Sequence, residues 1–139
     1  VGFPVKLYKR ICSFIVVNID NFRTFRELRG ELAAEDALKR IAKLVKDYTN
    51  PIGKAARIGG DEFALLLPEK NKRESSSIAE EIRKKIEITN VLKEGKATLT
   101  ASIGVSENPI DGATSEELFT KAMNAVKEAK SAGKNRVVL

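Results

Sequence analysis

Residues 11–19 read Ile-Cys-Ser-Phe-Ile-Val-Val-Asn-Ile, an almost unbroken apolar and β-branched series with no alternation to mark a wet side. A strand of that kind is buried on both faces, so the remaining chain has to pack a layer against each of them. Helical spacing supplies candidates for those layers. Apolar positions recur at Ala34, Ala37, Leu38, Ile41, Leu44, Val45 and Tyr48 before Asn50-Pro51-Ile52-Gly53 stops the pattern. A shorter helix fits 22–29, ahead of Gly30. Ile78, Ala79, Ile82 and Ile86 mark the buried face of a third helix, fed by a charged and serine-rich loop over 69–77. A fourth opens at Thr114, where Glu117 completes a capping box, and runs through Leu118, Phe119, Ala122, Val126 and Ala129 to Gly133.

Most of the other strands are shorter. Segments 55–58 and 62–67 flank Gly59-Gly60 and read as a hairpin turned by residues that tolerate positive φ. Segment 97–105 alternates and is rich in Thr, Ile and Val, and 136–139 is a brief final strand. The order β-α-α-β-β-α-β-α-β predicts an α+β fold of ferredoxin-like or polymerase-palm character, a mixed central sheet flanked by helices. A length of 139 residues suits one domain, 1–139, and is too short for two of ordinary size.

Composition narrows the chemistry. Hydrophobic residues make up 42% and charged residues 32%, as in soluble globular chains, and neither a membrane-length apolar run nor a leader pattern is visible. The cytoplasm is the expected compartment, with no membrane contact by this domain. A start at Val1 rather than Met suggests a fragment of a larger regulated protein. The chain has no histidine, which removes the usual general base, the usual zinc ligand and every Ser-His or Cys-His nucleophile. Its one cysteine, Cys12, lies in the apolar run and reads as a buried small hydrophobe. Any metal must therefore sit on oxygen ligands, which select magnesium or manganese. The net charge of +6 is scattered and lacks an aromatic-rich basic stripe, so no nucleic-acid partner is expected. Lys70 to Arg73 and Arg83 to Lys85 read as solvated charges.

One segment concentrates chemistry: Arg57-Ile58-Gly59-Gly60-Asp61-Glu62-Phe63 sets two carboxylates directly after a Gly-Gly turn. Glycines let a triphosphate approach backbone amides, and an adjacent acid can hold the magnesium that accompanies it. The segment resembles the signature of the GGDEF family of diguanylate cyclases, and other stretches match that family in order. Asn18-Ile19-Asp20-Asn21-Phe22-Arg23 resembles its Asp-x-Asp-x-Phe-Lys strand end. Segment 98–105, ending Ser102-Ile103-Gly104-Val105, resembles its Ser-Ile-Gly-Val strand. Ala129-Lys130 and Gly133-Lys134-Asn135 resemble its closing elements.

The resemblance implies a nucleotide-cyclase-like fold and a half-site enzyme, in which two facing domains each bring one GTP and the products are cyclic di-GMP and pyrophosphate. It implies catalytic and metal roles for Asp61 and Glu62, with further metal contacts from Asn18 and the Ile19 backbone; Asp20, two residues on and on the same strand face as Asn18, is a further candidate. Gly59, Gly60 and the amides near Phe22 and Arg23 would face phosphates, Lys130 and Lys134 would hold the γ-phosphate, and Arg26 with Glu35 would occupy the guanine-reading positions. Partners would be GTP and a second GGDEF domain or other signalling domains.

This copy departs from the family pattern. Asn18 stands where the family has its first aspartate, which removes a full charge facing the cation. Arg26 replaces an asparagine, Glu35 an aspartate, Glu31 a histidine and Ala34 a glycine, while Met123 and Lys127 replace the usual Asp and Tyr of the last helix. Asn50-Pro51-Ile52-Gly53 stands in place of an Arg-x-x-Asp inhibitory product site, so product inhibition there is not expected. The family's opening Leu-Thr-Gly-Leu-x-Asn-Arg is only faintly matched, by Gly2-Phe3-Pro4. The expected function is a degenerate GGDEF domain, a GTP-binding or protein-contacting regulatory module with weak or no cyclase activity. An active cyclase and a nucleotide-independent dimerisation scaffold are the alternatives.

Overall fold

A computed structural model describes residues 10–139; the Gly2-Phe3-Pro4 segment lies outside them. The elements follow the expected order: β1 (Cys12–Ile19), α1 (Phe22–Arg29), α2 (Glu31–Thr49), β2 (Lys54–Arg57), β3 (Glu62–Pro68), α3 (Lys72–Ile88), β4 (Ala101–Asn108), α4 (Ser115–Ser131) and β5 (Arg136–Val138). The sheet runs β2-β3-β1-β4-β5, so β1 is the middle strand, and all eight of its residues are buried. β1 pairs antiparallel with β3 and β4, β2 antiparallel with β3, and β5 parallel with β4, which makes the sheet mixed.

Two cores explain the absence of alternation in β1. Ile15, Val17 and Ile19 pack with Ile41 and Val45 of α2 and Ile82 and Ile86 of α3, whereas Phe14 and Val16 pack with Leu118, Ala122 and Val126 of α4. Cys12 is buried in the second of these. The approach of α4 is close. Gly104 pairs with Val16, and a Cβ on it would lie 2.0 Å from the Ala122 carbonyl oxygen and 2.9 Å from Ala125 Cβ. A backbone oxygen has no rotamer to escape into, so Gly104→Ala is expected to lower the unfolding free energy by about 2–3 kcal/mol. Urea titration with an unchanged m-value reads this out. A variant within about 0.5 kcal/mol of the parent would mean that α4 lifts off the sheet freely.

Several boundaries differ from the sequence expectation. α3 begins at Lys72, so the serines assigned to a loop are helical, and Ser75 is fully buried. The cause is a capping box: Asn71 Oδ1 accepts the Glu74 amide at 2.8 Å, and Glu74 Oε1 accepts the Asn71 amide at 3.0 Å. At α4, Glu117 instead reaches back to the Ala113 amide at 3.0 Å, while Thr114 Oγ1 accepts the Glu117 amide. β4 starts at Ala101 rather than 97, because its last pairing is with Ile19, where β1 ends. α2 starts at Glu31, one turn before its apolar face, directly after the break at Gly30 with φ 92°.

Candidate functional site

The ends of β1 and β3 bring the acidic turn and Asn18 together. Asn18 lies opposite Glu62 in the ladder, and its Nδ2 donates to Glu62 Oε2 at 2.8 Å. The Ile19 amide donates to the Asp61 carbonyl at 2.9 Å, and the Ile58 amide to the Glu62 carbonyl at 3.0 Å, which fixes the loop 59–61 against the strand end. Arg57 folds over this loop, with Nε on the Gly59 carbonyl and Nη2 on the Gly60 carbonyl, both at 3.0 Å. Asp61 and Glu62 are half-buried and Asn18 is buried.

The turn glycines are not required by positive φ. Neither Gly59 nor Gly60 is among the residues with positive φ, and a Cβ on Gly60 would meet nothing within 4 Å. Internal packing thus leaves open space at Gly60.

Among the described residues, no group of three or more acidic, histidine or cysteine side chains is placed to hold a metal. A metal held here would have the carboxylates of Asp61 and Glu62 as its expected ligands, and the amide oxygen of Asn18 would be a neutral third donor. That all-oxygen set fits a magnesium- or manganese-type ion with one negative charge fewer than three carboxylates would give. Asn18 also presents its N–H to Glu62, a bond that keeps the carboxylate in place without a cation.

Asp20 is built differently from its sequence expectation. It is 2% exposed, and its oxygens accept Ser102 Oγ at 2.7 Å, Thr100 Oγ1 at 2.7 Å, Lys130 Nζ at 2.9 Å and the Asn135 amide at 3.0 Å. Burial alone pushes its pKa up, but the hydrogen bonds from Ser102, Thr100, Lys130 and Asn135 outweigh that and hold the carboxyl below its ordinary value. With both oxygens taken, Asp20 is the counter-ion that ties β1, β4, α4 and the loop after α4 together. The extra metal contact suggested for it would have to compete with these four donors.

The phosphate-facing positions assemble around the start of α1. Asn21, the residue before the helix, has φ 55° and no side chain caps the first turn, so the amides at Phe22 and Arg23 belong to an open helix N-terminus. Lys134 Nζ sits 2.6 Å from Asn21 Oδ1, at the same end. Lys130 is beside it through Asp20. The Phe22 side chain is buried and stacks on Phe25 with centroids 5.9 Å apart, whereas Arg23 is exposed and lies 3.8 Å from Glu27.

At the base-reading positions, the Arg26 guanidinium lies 5.1 Å over the Phe22 ring, with Nε 3.4 Å from Glu31 Oε2. That is ion-pair distance without hydrogen-bond alignment, and Nε has no hydrogen-bond partner. Two departures from the family pattern, at 26 and 31, thus face each other as a pair of opposite charges. Glu35 is exposed on α2.

Gly53, where the inhibitory motif would need its aspartate, is pressed against β3. A Cβ there would lie 2.2 Å from the Leu66 carbonyl oxygen.

Sequence reasoning missed Thr100, Ser102 and Asn135 as ligands of Asp20. The signal was present: Thr100 and Ser102 are two polar residues at strand spacing inside an apolar run, hence on one face.

The comparisons with known proteins agree with this fold. The family model described as diguanylate cyclase, GGDEF domain, matches residues 6–136. Diguanylate cyclase A of Treponema denticola is 33% identical over 132 residues, covering 94% of this chain and 36% of that protein. Diguanylate cyclase VdcA of Vibrio cholerae is 35% identical over 130 residues, covering 91% and 38%. The chain thus spans little more than a third of the length of these curated relatives. The GGDEF domain of DgcB from Caulobacter crescentus, solved in complex with c-di-GMP, superposes with a TM-score of 0.86 at 24% identity, covering 93% of this chain and 77% of that one. No helix among the described residues is long and apolar enough to cross a membrane. With its β-α-α-β-β-α-β-α-β order, its intact acidic turn and a family match across nearly its whole length, this chain belongs to the GGDEF family of diguanylate cyclase domains.

Proposed function

We propose that this domain is a regulatory GTP-binding module of cyclic di-GMP signalling with weak or no cyclase activity of its own. The carrying observation is the hydrogen bond from Asn18 to Glu62, which puts a neutral amide against the acidic turn at the position where the family has a carboxylate. A bound magnesium ion would supply charge neutralisation at the phosphates and activation of the attacking 3′-hydroxyl. Asp61 and Glu62 would hold it, with the Asn18 amide oxygen and the Ile19 backbone as neutral contacts. Lys134, the open first turn of α1 and Gly59-Gly60 would bind the triphosphate, with Lys130 kept beside them by Asp20. Glu35 retains an acceptor for guanine N–H groups, and Arg26 offers only donors. Catalysis would further require a second GGDEF domain facing this one, and such domains or other signalling domains in the cytoplasm are its proposed partners.

An active cyclase is the second reading. It is favoured by the survival of both carboxylates and of a basic residue at both closing positions, where Lys130 keeps the family's residue and Lys134 keeps the charge without the family's arginine fork. A nucleotide-independent scaffold is the third.

Calorimetric titration with GTP, ATP and cyclic di-GMP in magnesium separates these readings, because binding does not need the facing dimer. The expected result is selective GTP binding. An absence of heat with every nucleotide at millimolar concentration would leave only the scaffold.

A further inference from the structure

Arg83, expected among the solvated charges of α3, has a side chain only 14% exposed. Its Nε and Nη2 donate to the two oxygens of Glu80 at 2.6 and 3.0 Å, and its Nη1 donates to Asn135 Oδ1 at 2.9 Å. Asn135 donates its Nδ2 to Glu87 Oε2 at 2.6 Å and its amide to Asp20 at 3.0 Å. One residue therefore links α3 to the buried carboxylate behind the phosphate-facing end of the site.

The backbone at this link is unusual. Gly133, Lys134 and Asn135 have φ of 122°, 65° and 47°, so two successive residues with side chains occupy the left-handed region. Asparagine visits that region more readily than lysine, and such a pair persists only where its surroundings over-determine it. The Lys134 amide is tied to the Ala129 carbonyl at 2.9 Å, which continues the end of α4. From the other side the loop is held by the Asn135 side chain, and that side chain is gripped by Arg83 and Glu87. The result is a Lys134 ammonium placed at Asn21, before the first turn of α1.

We propose that Arg83 is a positioning residue, which holds the left-handed pair Lys134 and Asn135 through the Asn135 side chain and so keeps Lys134 at the phosphate-facing helix end. What Lys134 binds there rests on the reading given under the proposed function; the hold on the loop rests on the hydrogen bonds alone.

The test uses the parent chain, Arg83→Met, Asn135→Gly and the double variant. Asn135→Gly keeps access to positive φ and the amide that donates to Asp20, and removes only the side-chain link. Amide hydrogen exchange at Lys134 and Asn135 is expected to quicken at least about tenfold in Arg83→Met relative to core amides of β1 such as Val16. Magnesium-GTP affinity is expected to fall about fivefold in each single variant, with no further loss in the double, because one residue acts through the other. Unchanged exchange at 134–135 relative to the core overturns the proposal, as do additive losses of affinity. If the parent binds no GTP, the functional reading fails, and the exchange comparison still decides the positioning.

Discussion

Asp20→Ala is expected to unfold at a free energy about 3–4 kcal/mol below the parent, because four donors lose their acceptor at once. Ser102 is fully buried, and the Asn135 amide and the half-buried Lys130 ammonium have only this carboxylate as partner among the bonds described. Lys130 can recover some hydration, which keeps the cost below that of a fully buried orphan charge. Thermal or urea unfolding measures the loss; a difference under about 1 kcal/mol would show that the four donors find water instead.

The same residue sets a pH dependence whose sign follows from its hydrogen bonds. Asp20 is held below its ordinary pKa, so the folded state binds fewer protons than the unfolded state in the acid range. The stabilisation is fully present above the unfolded value of roughly pH 4 and is lost as the pH falls through the lower folded value. Asp20→Asn should be less stable near neutrality and should show a flatter stability profile below about pH 4.

How much of this was legible in the sequence depends on the physics at each position. The doubly buried β1 and the helical faces could be read because apolar periodicity reports burial directly. The start of α3 could not, because serines favour loops on average while one Asn71–Glu74 pair, reading across the apparent loop, closes a helix instead. Asn18 and Glu62 were each identified as site residues, yet their mutual bond depends on cross-strand register, which has no local signature. Asp20 was assigned to the metal by proximity in sequence. Its real neighbours lie 80 or more residues away, at Thr100, Ser102, Lys130 and Asn135. Arg83 was read as a surface charge because it opens the basic run Arg83 to Lys85, which looks like a solvated face. Its side chain is instead largely covered, and its contact with Asn135 comes from the loop after α4, which has no local signature.

The second large effect concerns Asn18. Replacing it by aspartate removes the donor to Glu62 and sets two carboxylates against each other across the β1–β3 pair. Without a cation such a cluster repels itself, and with one it gains the charge that the parent lacks. Asn18→Asp should therefore be less stable than the parent in chelator and should gain more stability than the parent on adding magnesium.

The same change bears on the central proposal, that this domain has weak or no cyclase activity because of the missing charge at position 18. If it withholds about 3 kcal/mol from the transition state, restoring it raises the rate by roughly two orders of magnitude. The direct test is cyclic di-GMP formation from GTP and magnesium, with parent and Asn18→Asp chains each held as a forced dimer. The account predicts little product from the parent and about a hundredfold more from the variant. Rates within about tenfold of each other, with measurable product from the parent, would contradict it.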